Sequence, residues 1–174
     1  IILFHGSGAN AYDLMPLHQV LAPNADVNWL FPQGIVDIDV GMGMMGKAWW
    51  HIDIIAYQQA MMRGEVRDLS KSRPDGLDAA KEAAIEMLKE LKIPMNELIL
   101  GGFSQGAMLA TELSLSMKNP PRALVALSGT LLDEERWRRL AEARTKLPIF
   151  QSHGTADPVL PFAMAEHLQD LFAE

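Results

Sequence analysis

Short runs of consecutive apolar residues alternate along the chain with longer stretches in which apolar residues return every three or four positions. Ile1-Ile2-Leu3-Phe4, Leu98-Ile99-Leu100 leading to Gly101, Ala123-Leu124-Val125-Ala126-Leu127 and Pro148-Ile149-Phe150-Gln151-Ser152 are runs of the first kind. Each reads as a buried strand, and Val27 to Phe31 reads as a further short one. The stretches between them read as helices. Asn10 is placed to cap one in which Leu14, Leu17, His18 and Leu21 share a face, ended by Pro23-Asn24. Asp75, with Asp78 behind it, opens a second whose face of Leu77, Ala80, Ala84, Leu88 and Leu91 runs through Lys92 before Pro94 stops it. Gln105 to Met117 forms a third, stopped by Asn119-Pro120-Pro121. Asp133-Glu134-Glu135 opens a fourth with Arg138, Arg139 and Arg144 in its last turns, the charge order that suits a helix dipole. Phe162 to Phe172 closes the chain as a fifth. Two stretches read differently. The glycine- and methionine-rich residues 34–48 predict a loop too long and too apolar to be a mere connector, and residues 53–74 are polar and helix-compatible, with a break near Arg73-Pro74.

Strands that alternate with helices predict one α/β domain with a mostly parallel sheet and helices on both faces. In such sheets functional groups gather beyond the carboxyl ends of the strands. Four polar or glycine-rich clusters fall there: His5 to Gly8, Ser104, Ser128-Gly129, and His153 to Asp157. Ser104 stands in Gly102-Phe103-Ser104-Gln105-Gly106, a Gly-x-Ser-x-Gly segment between a strand and a helix. A serine in that turn is held in a strained backbone conformation with its Oγ pushed into the open, and the flanking glycines are needed because a Cβ would collide with the neighbouring elements. Such a serine attacks acyl carbon when a base takes its proton, an acid orients the base and donors hold the oxyanion. The backbone N–H of Gln105 and that of Ser7, between Gly6 and Gly8, are the candidate donors, although Ser7 also reads as a plain turn residue. Asp157 is the candidate acid, because most other carboxylates lie on predicted helix surfaces; its alternative is a turn aspartate before proline.

Composition narrows the partners. A length of 174 residues with 49% hydrophobic and 21% charged residues fits a single globular domain. A formal net charge of −7 and an isoelectric point near 5.2 argue against nucleic acid or an anionic membrane as the main partner. No uninterrupted apolar stretch reaches the ~18 residues of a membrane span, and no Lys/Arg-led signal segment precedes the first strand. The chain has no cysteine, which removes disulfides and thiolate metal sites and fits a cytoplasmic protein. No metal or cofactor is expected. Ile1 lies inside an apolar strand and Glu174 inside a helical pattern, so the sequence predicts a fragment of a longer chain.

Leu3-Phe4-His5-Gly6-Ser7-Gly8, Trp49-Trp50, Gly101 to Ala107, Leu127-Ser128-Gly129, His153-Gly154 and Asp157-Pro158-Val159-Leu160-Pro161 resemble the phospholipase/carboxylesterase family, which includes the acyl-protein thioesterases. The resemblance runs in order over nearly the whole chain. It implies a compact α/β-hydrolase fold and a serine hydrolase of small carboxylic esters or thioesters, with Ser104 as nucleophile, Asp157 as acid and Ser7 and Gln105 lining the oxyanion hole. The order for this fold is Ser, acid, His, with the histidine beyond the helix that follows the acid. Among the five histidines, His5 and His153 belong to His-Gly turns, His18 and His51 precede Ser104, and His167 lies roughly 9 Å along the last predicted helix, moving away from the sheet edge. The general base is therefore expected outside this chain. Should the natural chain end here, the alternative is a non-catalytic α/β-hydrolase fold that binds acylated ligands or partners. Met42, Met44, Met45 and Trp49 are candidates for the wall of an acyl pocket, with Leu160 beside the acid; equally, the tryptophans pack as core and the methionines sit in solvent.

Overall fold

The structure is a computed structural model that describes residues 1–21, 26–52, 59, 62–63 and 68–173. Four strands form a parallel sheet: β1 (Ile2–Phe4), β4 (Ile99–Phe103), β5 (Ala123–Leu127) and β6 (Ile149–Ser152), in spatial order β1-β4-β5-β6. The register aligns Ile2 with Leu100, Leu100 with Leu124, and Leu124 with Ile149. Aligned residues of parallel strands share a face. Ile2, Phe4, Leu100, Leu124 and Ala126 therefore point one way, and all are buried. Against that face lies α3 (Gln105–Ser116), packed on β1, β4 and β5 and flanked by α2 (Leu77–Glu90) and α4 (Glu134–Ala141); α5 (Phe162–Ala173) packs on α4. On the opposite face Leu3 is buried, Val125 and Leu127 are half-buried, and Phe103 and Phe150 are exposed.

Helix α3 is buried from Gln105 to Leu115 on all sides, which explains its apolar composition. Its one carboxylate, Glu112, is fully buried among cations. Arg136 Nη1 stands 2.7 Å and Trp137 Nε1 2.8 Å from Oε2, while Arg73 Nη2 and Lys81 Nζ lie 3.2 and 3.5 Å from Oε1. Burial pushes this carboxyl up, but hydrogen bonds from Arg73, Arg136 and Trp137 outweigh it and hold the group below its ordinary value. The cluster fastens α3 to α4 and to the segment before α2.

Several local expectations change. Residues 36–48 form an antiparallel hairpin, β2 (Val36–Gly41) and β3 (Met44–Ala48), in place of a loop. Val36, Ile38 and Val40 alternate with Asp37 and Asp39, a period of two, and Gly41-Met42-Gly43 makes the turn with positive φ at each residue. Val27 to Phe31 contributes a single bridge from Leu30 to Ile2, and no strand. Asn10 caps a turn, accepting from Tyr12 N, and α1 is only Leu17–Leu21 with no buried residue. Gly76, in the left-handed region, is the N-cap of α2 in place of Asp75. Helix α4 stops at Ala141, short of Arg144. The predicted end of α1 at Pro23-Asn24 and most of residues 53–74 lie outside the described residues.

Candidate active site

The parallel order brings the loops after β1, β4, β5 and β6 to one edge of the sheet. Ser104 sits between β4 and α3 with φ 52 and ψ −118, a left-handed conformation that non-glycine residues rarely adopt. It is held there by Ser104 N donating to Leu127 O at 2.8 Å and by its own carbonyl accepting from Ala107 N and Met108 N. The glycines beside it have no room for side chains. A Cβ on Gly102 would stand 2.4 Å from Gly106 C, and one on Gly106 would stand 2.0 Å from Phe4 O. Ser104 is half-buried and Phe103 beside it is exposed.

Ser7 follows β1 on a loop pressed against this turn, since a Cβ on Gly6 would be 3.4 Å from Ser104 Cβ. Gly8 has φ 85, which lets the loop double back. Among the described residues no acceptor takes the Ser7 N–H, and Gln105, as the first residue of α3, has no carbonyl one turn back for its own. Among the described residues, two N–H groups without an acceptor thus lie on the two segments that meet at Ser104.

Asp157 lies after β6, two strand spacings or about 10 Å from β4. Its Oδ1 accepts from Val159 N at 2.8 Å and Leu160 N at 2.9 Å, so one carboxylate oxygen is fixed by its own loop. Its Oδ2 is 3.6 Å from His153 Nε2, which instead donates to Leu160 O at 2.8 Å. Among the described residues Oδ2 accepts no hydrogen bond, and no histidine is hydrogen-bonded to Ser104. His167 is exposed on α5, His51 is exposed, and His18 Nδ1 pairs with Met15 O.

The pocket candidates separate. Trp49 is buried, its indole N–H donating to His5 O at 2.8 Å and its ring edge-on to Phe4 at 5.1 Å. Met42, Met44 and Met45 are exposed on the hairpin, and Leu160 is buried beside the Asp157 loop. A cavity of about 480 Å³, bordered by Ile35, Val36, Trp49, Trp50 and Ile52, does not include Ser104.

Known proteins match the chain over nearly its full length. Residues 1–174 match the family described as Phospholipase/Carboxylesterase. The chain belongs to that family. It is 27% identical to an acyl-protein thioesterase 1 of Candida albicans, with 100% of the chain and 77% of that protein covered. It is 30% identical to an acyl-protein thioesterase 1 of Debaryomyces hansenii, with 96% of the chain and 71% of that protein covered. The crystal structure of esterase PE8 superposes with a TM-score of 0.76 at 25% identity, covering 99% of this chain and 75% of that one. The protein is accordingly a carboxylesterase/thioesterase-type hydrolase on an α/β-hydrolase fold, its central sheet mostly parallel and flanked by helices. Among the described residues no helix is long and apolar enough to cross a membrane.

Two features of this phospholipase/carboxylesterase-family chain escape the sequence. The Gln105 side chain is fully buried and ties the first turn of α3 to Trp49 and Trp50, and the buried His5 ring ties the end of β1 to Gly34. A glutamine in a largely apolar helix and a histidine at the end of a buried strand are the signals available, because a buried polar group requires a partner; nothing in the sequence says which partner.

Proposed function

We propose that the protein cleaves carboxylic esters or thioesters through an acyl-enzyme formed on Ser104. The observation that carries this is the strained Ser104 turn with two unspent N–H groups beside it, those of Ser7 and Gln105. Ser104 Oγ attacks the acyl carbon as a base removes its proton, the carbonyl oxygen moves between the two N–H groups, and the alcohol or thiol leaves with the proton returned by the base. Water repeats the sequence on the acyl-enzyme. Asp157 orients the base: with Oδ1 fixed by Val159 and Leu160, Oδ2 remains free to accept from an imidazole spanning the gap to Ser104. None of the five histidines fills that gap, so the base is assigned to a histidine contributed by sequence other than these 174 residues.

Small esters and acylated molecules are the proposed substrates, following the names of the thioesterase relatives. Trp49, Met44 and Leu160 remain proposed contributors to the acyl-binding wall, and the cysteine-free composition supports a cytoplasmic location, to be checked by fractionation. Turnover of p-nitrophenyl esters and of an acyl-thioester by the full-length gene product tests the function. Hydrolysis abolished by Ser104→Ala supports it; hydrolysis that survives the substitution overturns the role of Ser104.

A further inference from the structure

Several hydrogen bonds attach the feet of the hairpin β2–β3 and strand β3 to the sheet edge within two residues of the two unspent N–H groups. At its first foot, Gly34 N–H donates to His5 Nε2 at 2.9 Å, two residues before Ser7. That bond assigns the hydrogen of the His5 ring to Nδ1, which donates to Gly6 O at 2.7 Å. Burial holds the ring below its ordinary pKa, consistent with this neutral form. At the second foot, Gln105 Oε1 accepts from Trp49 N and Gln105 Nε2 donates to Trp50 O, both at 2.9 Å. Between the feet, β3 pairs with the Ser7 loop as a strand would: Gly8 N donates to Lys47 O and Lys47 N to Ala9 O, each at 2.9 Å. The approach is close enough that a Cβ on Gly46 would stand 2.3 Å from Gly8 O.

The Ser7 loop and the start of α3 leave the sheet from neighbouring strands, β1 and β4, and their backbones pack directly on each other at Gly6 and Gly106. A second connection, made through side chains, runs His5, Gly34, hairpin, Trp49, Gln105 and is closed by the Trp49 indole donating to His5 O at 2.8 Å. Both polar side chains in this path are buried, where a missing partner is costly and a satisfied one is rigid.

We propose that His5 and Gln105, through their side chains, are positioning residues that fix the spacing of the two oxyanion donors by clamping the feet of the hairpin. This rests on the reading of Ser7 and Gln105 as those donors. The Gln105 side chain then acts apart from its own backbone N–H: the amide sets where that N–H stands. A donor displaced by even ~1 Å loses most of its effect on the transition state, which can be worth ~10²-fold in rate.

The test uses the full-length hydrolase with a p-nitrophenyl ester, and phenylboronic acid as a tetrahedral mimic on Ser104. In Gln105→Met, which keeps the size of the side chain and removes both of its hydrogen bonds to the second foot, kcat should fall on the order of 10- to 100-fold with KM within about 2-fold. The boronate inhibition constant should rise in the same proportion. His5→Leu should behave alike, while His5→Gln, whose Oε1 can replace Nε2 as acceptor for Gly34, should recover most of kcat. Circular dichroism and elution volume identify the folded variants, and the His5 pair carries the test alone if Gln105→Met does not fold. Folded variants whose kcat and boronate affinity match the parent overturn the proposal, as does a His5→Gln no better than His5→Leu. Failure of the parent itself to be inhibited through Ser104 strikes instead at the proposed nucleophile.

Discussion

A Cβ added to Gly106 would stand 2.0 Å from Phe4 O, and one added to Gly102 would stand 2.4 Å from Gly106 C. In the loop that carries Asp157 the same operation on Gly154 meets nothing nearer than Asp157 N at 4.0 Å. The serine is positioned by backbone packed against backbone, under strain that the surroundings hold in place. The aspartate is positioned by two hydrogen bonds to one of its own oxygens, in a loop with space around it. A nucleophile must present one atom along one direction, and rigid packing supplies that. An orienting acid needs only to keep one oxygen turned toward its partner, and a self-bonded loop suffices.

The largest expected effect on this contrast is at Asp157. Asp157→Asn keeps an oxygen for the Val159 and Leu160 N–H groups but loses the charge proposed to steady the base, so kcat of the full-length hydrolase should drop by about 10⁴. Its melting temperature should stay within a few degrees of the parent. A large loss of stability would mean the acid side is packed as tightly as the serine side. Next come the glycines. Gly106→Ala should cost more than about 4 kcal/mol in denaturant unfolding or prevent folding, whereas Gly154→Ala should stay within about 0.5 kcal/mol. Equal costs would remove the contrast.

Glu112 extends the comparison from the turn to the helix behind it. Replacing it with Gln leaves Arg73 and Arg136 facing a neutral group in a buried site, which should destabilise the fold by about 3 kcal/mol. Its carboxyl is held below the ordinary value when folded, so its contribution is fully present at neutral pH. It should be lost as the pH falls below the ordinary carboxylate range through that lowered value. Acid unfolding should therefore be less steep in Glu112→Gln than in the parent. An unchanged acid transition would show that Glu112 does not govern it.

Much of the packed side was legible in the sequence, because its constraints are local. Gly102, Gly106 and Ser104 sit within one turn, and the runs around Leu100 and Leu124 announce buried parallel strands. The hairpin was less so: the alternation of Val36, Ile38 and Val40 with Asp37 and Asp39 is a strand signal, yet the glycines and methionines that follow suggest a loop. What could not be read are the contacts between distant segments. Gln105 to Trp49, His5 to Gly34 and Glu112 to Arg136 depend on which elements become neighbours, and no spacing along the chain encodes them. The short α1 and the lone Leu30 bridge miss for a related reason, since local helix and strand patterns form only where packing supports them.

The central claim is that Ser104 is the nucleophile of this phospholipase/carboxylesterase-family hydrolase. It is tested most directly by treating the full-length protein with a fluorophosphonate and mapping the modified peptide. The account predicts one phosphonylated residue, Ser104, and no label in Ser104→Ala; label on another serine, or none in a protein that still hydrolyses esters, would contradict it.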